Sequence, residues 1–290
     1  MKSWVKRLSH GSVVLWIVFL ATATSPTQDR ASGTKSVDEW LAELPAGLVA
    51  RGEELQTYRV TSILHNRDLT GNVLNKLRLT AEYSRRTEDG GVHCRWSKVR
   101  LAAPPDPSKP FPEGELLDFM EGFSYVVTEE IAGEALYRKV PDENTKHLVK
   151  TLVWDAATFE PFFWDHFDQF RLNEQLTVSE LEDFDVQKGD WGKLKLRDLR
   201  MAWIGISEKH DETCALIKYE SFSNPVHSDT EVMNVNGRSL YWGCLWISLE
   251  DKQVEHATLN EDVFMEITSP GGGGKRMMDM QREVVFDRID

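Results

Sequence analysis

Between Leu77 and Ser84 the chain alternates without a break: Leu77, Leu79, Ala81 and Tyr83 are apolar, and Arg78, Thr80, Glu82 and Ser84 are polar. A period of two belongs to an extended strand with one buried face and one wet face, and no helix can satisfy it. The same parity runs through Tyr58, Val60 and Ser62, and resumes in Val92, Cys94 and Trp96 beyond Glu88-Asp89-Gly90-Gly91. Glycine there supplies the positive φ that a tight hairpin turn needs. Val99 and Leu101 continue the face after a slip of phase. The reading is an antiparallel meander.

Strand character returns at Asp190–Ile206, in Cys214 to Tyr219, in Ser239 to Ser248, in Val254 to Thr258, in Glu261 to Ile267 and in Gln281 to Ile289. Residues 102–114 carry five of the eleven prolines and cannot sit inside a sheet, so the chain is expected to cross an end of it there; a domain linker is the alternative. Leu116 to Val127 stays open between a short helix and a strand. The middle, 142–172, reads as helical, with Leu148, Leu152 and Val153 followed by Phe159, Phe163, Phe167 and Phe170 at helical spacing, and Pro161 starting a second helix. The fold class is therefore mostly β (α+β): a large curved antiparallel sheet or half-barrel of roughly ten strands, with the helical insertion packed on its concave face.

The N-terminus speaks to location. Lys2, Lys6 and Arg7 precede an apolar run from Val13 to Ala23, and Ala21-Thr22-Ala23 offers small residues for cleavage. That run is too short to span a bilayer. Residues 1–25 read as a signal peptide, 26–36 as a disordered leader and 37–290 as one β-rich domain. The protein is expected to be exported, periplasmic or extracellular, and not an integral membrane protein once the signal is cleaved. In an oxidising compartment cysteines can pair. Of Cys94, Cys214 and Cys244, the last two lie in strand-like runs and are the pair expected if one bridge forms; three separate buried thiols are the alternative.

Composition excludes one class of partner. The 47 acidic residues outnumber the 34 lysines and arginines, for a net charge of −13, whereas nucleic-acid binding draws on clustered cations. Signatures of chemistry are also missing. No G-x-S-x-G elbow occurs, and Gly271–Gly274 with Lys275 fails the phosphate-loop spacing. Asp165, His166 and Asp168 could ligate a metal but do not converge on a helix. The expectation is no catalytic residue, no metal and no cofactor.

The most distinctive stretch is Thr158 to Phe170, with five phenylalanines and one tryptophan in 13 residues. Buried aromatics stabilise by ~2–3 kcal/mol each, so this surface is expected to meet apolar surface, either as core or around a ligand. Phe159, Phe162, Phe163, Trp164 and Phe167 are the candidate ligand-binding residues, together with Trp242 and Trp246, which lie four apart and point to one side of a strand.

In outline, long alternating strands, a central helix and late hairpin strands resemble the secreted half-barrel proteins of the lipoprotein-carrier type. The likeness covers most of residues 57–289 and matches no motif residue by residue, so it carries over no site. It implies an antiparallel sheet folded around helices that binds acyl chains. The functional expectation is an exported, non-enzymatic binding or scaffold protein of the cell envelope that holds a hydrophobic or lipid-like ligand or docks an envelope protein. The alternative is an envelope hydrolase.

Overall fold

Thirteen strands form one antiparallel sheet in the computed structural model, which describes Ala42 and residues 54–128, 134–159, 169–178, 185–187, 193–195, 199–229, 234–269 and 274–289. They are β1 (Gln56–Asp68), β2 (Val73–Glu88), β3 (Gly91–Ala102), β4 (Glu115–Leu116), β5 (Phe123–Val126), β6 (Gln175–Val178), β7 (Asp185–Gln187), β8 (Lys193–Lys195), β9 (Leu199–Lys209), β10 (Glu212–Asp229), β11 (Asn234–Ser248), β12 (Val254–Thr268) and β13 (Lys275–Arg288). The path runs β4-β3-β2-β1-β13-β12-β11-β10-β8-β7; β5 also pairs with β3, β9 with β10 and β6 with β9. It does not close into a barrel. The strands beyond the expected ten are short ones along the two flanks. By its contacts the chain divides into Met1–Leu44 and Pro45–Asp290, and all that follows concerns the second unit.

Local chemistry explains the hairpins. Asp89 and Gly90, at φ 52° and 77°, make the two-residue β2–β3 turn whose twist matches the flanking strands. The phase slip in β3 is a bulge: Lys98 has φ 52° and the register against β2 shifts between Thr80 and Glu82. Val99 thereby returns to the buried face that holds Cys94 and Trp96. The proline-rich segment belongs to the same sheet on both sides, because β4 and β5 come back to pair with β3. Leu116 to Val127 divides between both readings, with a 3-10 turn at Asp118–Met120 between those two strands.

The first helix lies where the sequence puts it. α1 (Glu143–Thr158) starts at the N-cap Asp142, whose side chain accepts from the backbone of Thr145, and ends with Phe159 as C-cap. Leu172 is already in a bridge with Trp203, so the expected helical span of 142–172 is corrected at its C-terminal end. Val149, Leu152, Val153, Ala156 and Phe159 face the sheet at spacings of three and four. Residues 160–168 lie outside the described residues, and with them Pro161, Phe162, Phe163, Trp164, Asp165, His166, Phe167 and Asp168.

One face of the sheet is covered by α1. There Phe286 of β13 meets Phe159 edge-to-face at 5.0 Å and Tyr83 at 5.7 Å, and Tyr83 packs on Trp96 at 4.7 Å. These rings close one half of the covered face. In the other half β1, β2, β11, β12 and β13 present Leu64, Leu77, Val235, Val263, Met265, Met278 and Met280.

Candidate functional site

Under the first turns of α1 the packing stops short of closure. A cavity of about 330 Å³ lies between the helix and the sheet. His147, Leu148, Thr151 and Leu152 form its roof; Leu64 of β1, Leu77 and Leu79 of β2, Val226 of β10, Val235 of β11, Val263 and Met265 of β12, and Met278 and Met280 of β13 form most of its walls. Alternation along each strand produces this lining, since every second side chain points to the covered face. Methionine fills irregular space adaptably. The trough is apolar over most of its surface, with Ser62, Asn66, Ser228, Glu261 and Arg282 as the polar exceptions among the strand residues.

Glu261 and Arg282 mark where the trough meets the aromatic half. They are direct cross-strand partners in the β12–β13 register. The Arg282 guanidinium donates from Nε at 3.0 Å and from Nη2 at 2.5 Å to one oxygen of Glu261, and from Nη1 to Asp155 of α1. Ser239 Oγ donates to the other Glu261 oxygen at 2.5 Å. All four residues are buried. Burial alone would pull the arginine pKa down, but Asp155 and Glu261 overcome it and push it up, so Arg282 stays charged. The network links α1 to three strands, β11, β12 and β13. Sequence reasoning missed it, although a signal was present: Glu261 and Arg282 sit in columns otherwise apolar, between Leu259 and Val263 and between Met280 and Val284.

The sequence-derived site residues are distributed differently. Phe159 is buried core against Phe286 and does not line the trough. Phe162, Phe163, Trp164 and Phe167 lie outside the described residues. Trp242 and Trp246 do share a side of β11, but Tyr241, Gly243 and Leu245 between and beside them are buried, so the tryptophans face outward. Trp246 packs edge-to-face on His256 at 4.9 Å and Trp242 lies 6.5 Å from Phe222. This corrects their assignment to the ligand site.

The expected bridge is corrected as well. Cys214 stands opposite Ser248 and Cys244 opposite Lys218. Four residues of offset on paired strands is ~13 Å, beyond the ~7 Å reach of a disulfide, and all three cysteines are free. Thiol titration in denaturant without reductant should therefore give three thiols per chain; a count of one would contradict this register.

A second polar group sits at the other end of the strands, around the β9–β10 turn. His210 and Asp211 form that turn at φ 52° and 63° without glycine, which strains L-residues. His210 Nδ1 lies 3.1 Å from Glu255 Oε2; Arg288 donates to Asp251 at 2.8 Å and to the second Glu255 oxygen. The carboxylates of Glu212, Asp251 and Glu255 lie within 4.8 Å of one another. Nearby, burial and then the charges of Glu255 and Glu212 push the Cys214 thiol up to about 12. It is therefore a thiol at neutral pH, not an activated nucleophile. Arg288 and His210 already occupy both oxygens of Glu255, and the arrangement ties β9, β11, β12 and β13 together.

No helix of the described residues is long and apolar enough to cross a membrane. No family model matches the chain and no curated protein does. Among solved structures it is similar to one described as "Lipid-protein interactions in lipovitellin", with a TM-score of 0.43 and 12% identity over 81% of this chain. The match takes in 25% of that chain, so this protein spans about a quarter of its length.

Proposed function

We propose that this protein is an exported, non-enzymatic carrier or scaffold that holds a hydrophobic, lipid-like ligand in the trough beneath α1. The observation that carries the reading is the trough itself: apolar walls from β1, β2, β10, β11, β12 and β13, roofed by one helix, enclosing a volume within the range of small-molecule sites. Each methylene transferred from water into such a space is worth ~0.8 kcal/mol, and no catalytic group is needed for that. Export rests on the basic, apolar and small-residue order of the first 25 residues, and N-terminal sequencing of the protein from its host should begin shortly after Ala23.

The trough is tested by filling it. Val263→Trp places an indole in space that is otherwise open, so stability should change little. The neutral dye N-phenyl-1-naphthylamine should fluoresce with the parent protein and lose most of that signal with the variant. No enhancement by the parent, or equal enhancement by both, would remove the ligand-holding reading.

A further inference from the structure

Two side chains in the lining of the trough carry a polar atom that pairs with nothing. Ser228 Oγ and Asn66 Oδ1 are shielded from solvent, and neither has a hydrogen-bond partner among the described residues. Ser228 is 2% exposed and keeps apolar company, two residues from Val226 along β10 and directly across from Val235 on β11. Asn66 engages only its amide nitrogen, which donates to Asn75 Oδ1 at 2.8 Å. Other polar groups around the trough are occupied: Thr151 Oγ1 donates to the His147 carbonyl at 3.0 Å, and Arg282 donates to Glu261. A buried hydroxyl without a partner gives up its hydrogen bonds to water and regains none. Alanine in the place of Ser228 would lose nothing.

Both atoms mark one end of the trough. Ser228 is one residue from the end of β10 and Asn66 two from the end of β1. Those ends lie where β11 and β13 begin, since Asp229 pairs with Asn234 and Asp68 with Met278. Toward this end Val226, Ile267 and Met278 are half-buried; toward the other, Leu79, Leu152, Glu261 and Arg282 are buried. Resting on the ligand-holding reading above, we infer that Ser228 is the hydrogen-bonding anchor for the ligand's head group, and that the trough takes a single-chain amphiphile with an oxygen-bearing head. The head lies toward these strand ends and the tail beneath Leu152. A turn about χ1, which moves a serine hydroxyl between three staggered positions, brings Oγ to the ligand. Hydroxyl, ester and carboxyl oxygens all accept from it, so recognition is by hydrogen bond and sets no condition on ligand charge. Asn66 Oδ1, an acceptor, favours a head that also donates. The volume of about 330 Å³ is at the small end of ligand sites and suits one chain.

The test uses 1,6-diphenylhexatriene, a fluorescent hydrocarbon without a polar atom, and its displacement by 1-dodecanol. The parent protein should bind the dye and release it to dodecanol. In Ser228→Ala the dodecanol concentration needed should rise about three- to tenfold, the worth of one hydrogen bond. The hydrocarbon dye should bind that variant at least as tightly, because the site has become more apolar. The thermal unfolding temperature of the unliganded variant should not fall, since the hydroxyl has no partner in the protein to lose. Equal displacement by dodecanol in parent and variant, or none in either, would overturn the anchor while leaving the trough as a site for hydrocarbon. A lower unfolding temperature for the unliganded variant would also overturn it, by showing that the hydroxyl is paired within the fold. No binding of the dye by the parent would overturn the ligand-holding reading itself.

Discussion

Arg282→Met should destabilise the protein by ~3–5 kcal/mol, the range seen when one partner of a buried ion pair is removed. Methionine approximates the length of the arginine stem, so the loss is electrostatic more than steric. It removes the guanidinium that Asp155 and Glu261, both buried, share. Chemical denaturation of parent and variant at pH 7 measures the difference. The sign of its pH dependence is set by linkage: an unpartnered buried carboxyl has a folded-state pKa above its unfolded one. The variant's deficit should therefore shrink as pH falls through that raised value and grow again as pH rises. A deficit under about 1 kcal/mol, unchanged with pH, would mean the network is solvated and does not anchor the helix.

Gly243→Ala should be the most damaging methyl group that can be added to the sheet. A Cβ there would lie 1.9 Å from the carbonyl oxygen of Thr258 and 2.6 Å from the hydroxyl of Tyr219. That hydroxyl donates to the same carbonyl at 2.8 Å, so the tyrosine lies across the glycine; it cannot retreat without losing this hydrogen bond, nor Thr258 without disturbing the β11–β12 ladder. Overpacking of a core typically costs ~1–3 kcal/mol; this site should reach or exceed the top of that range because the clash is with backbone. Gly205→Ala is the control, since a Cβ on Gly205 meets nothing within 4 Å and surface changes usually stay within about 0.5 kcal/mol. Similar thermal unfolding temperatures for the two variants would rule out this account.

The sheet was legible because alternation is a local property that tertiary structure did not override. Tyr58 to Ser62, Leu77 to Tyr83 and Cys94 to Trp96 all point to the face they were expected to share, and even the bulge at Lys98 left a slip of phase in the sequence. The site was less legible, for two reasons. Register is not local: that Cys214 and Cys244 miss each other by four positions follows from strand pairing, which neither flanking sequence encodes. Size also misled. Trp242 and Trp246 are the bulkiest residues of β11, yet Tyr241, Gly243 and Leu245 form its buried column, and a glycine in that column hides the parity. The charged floor was half visible, as Glu261 and Arg282 interrupt apolar columns, but Asp155 joins them only because α1 lies across both strands.

The adjacency of β1 and β13 has a kinetic consequence. The sheet is two meanders, and among the described residues they are joined only along this seam, where Tyr58 stands beside Arg288 from on the order of two hundred residues downstream. Before β13 docks, β1 and β12 each present a long unpaired edge that runs past both the aromatic and the methionine halves of the covered face. Such edges invite pairing with other chains, and contacts so distant in sequence form slowly. A nascent chain emerging N-terminus first therefore passes through a long interval in which both meanders exist and neither is sealed, so refolding should be slow and yield should fall with protein concentration. Keeping those edges apart from other chains during that interval is a task for a holding chaperone, and Lys275–Arg288 is the segment whose arrival ends it.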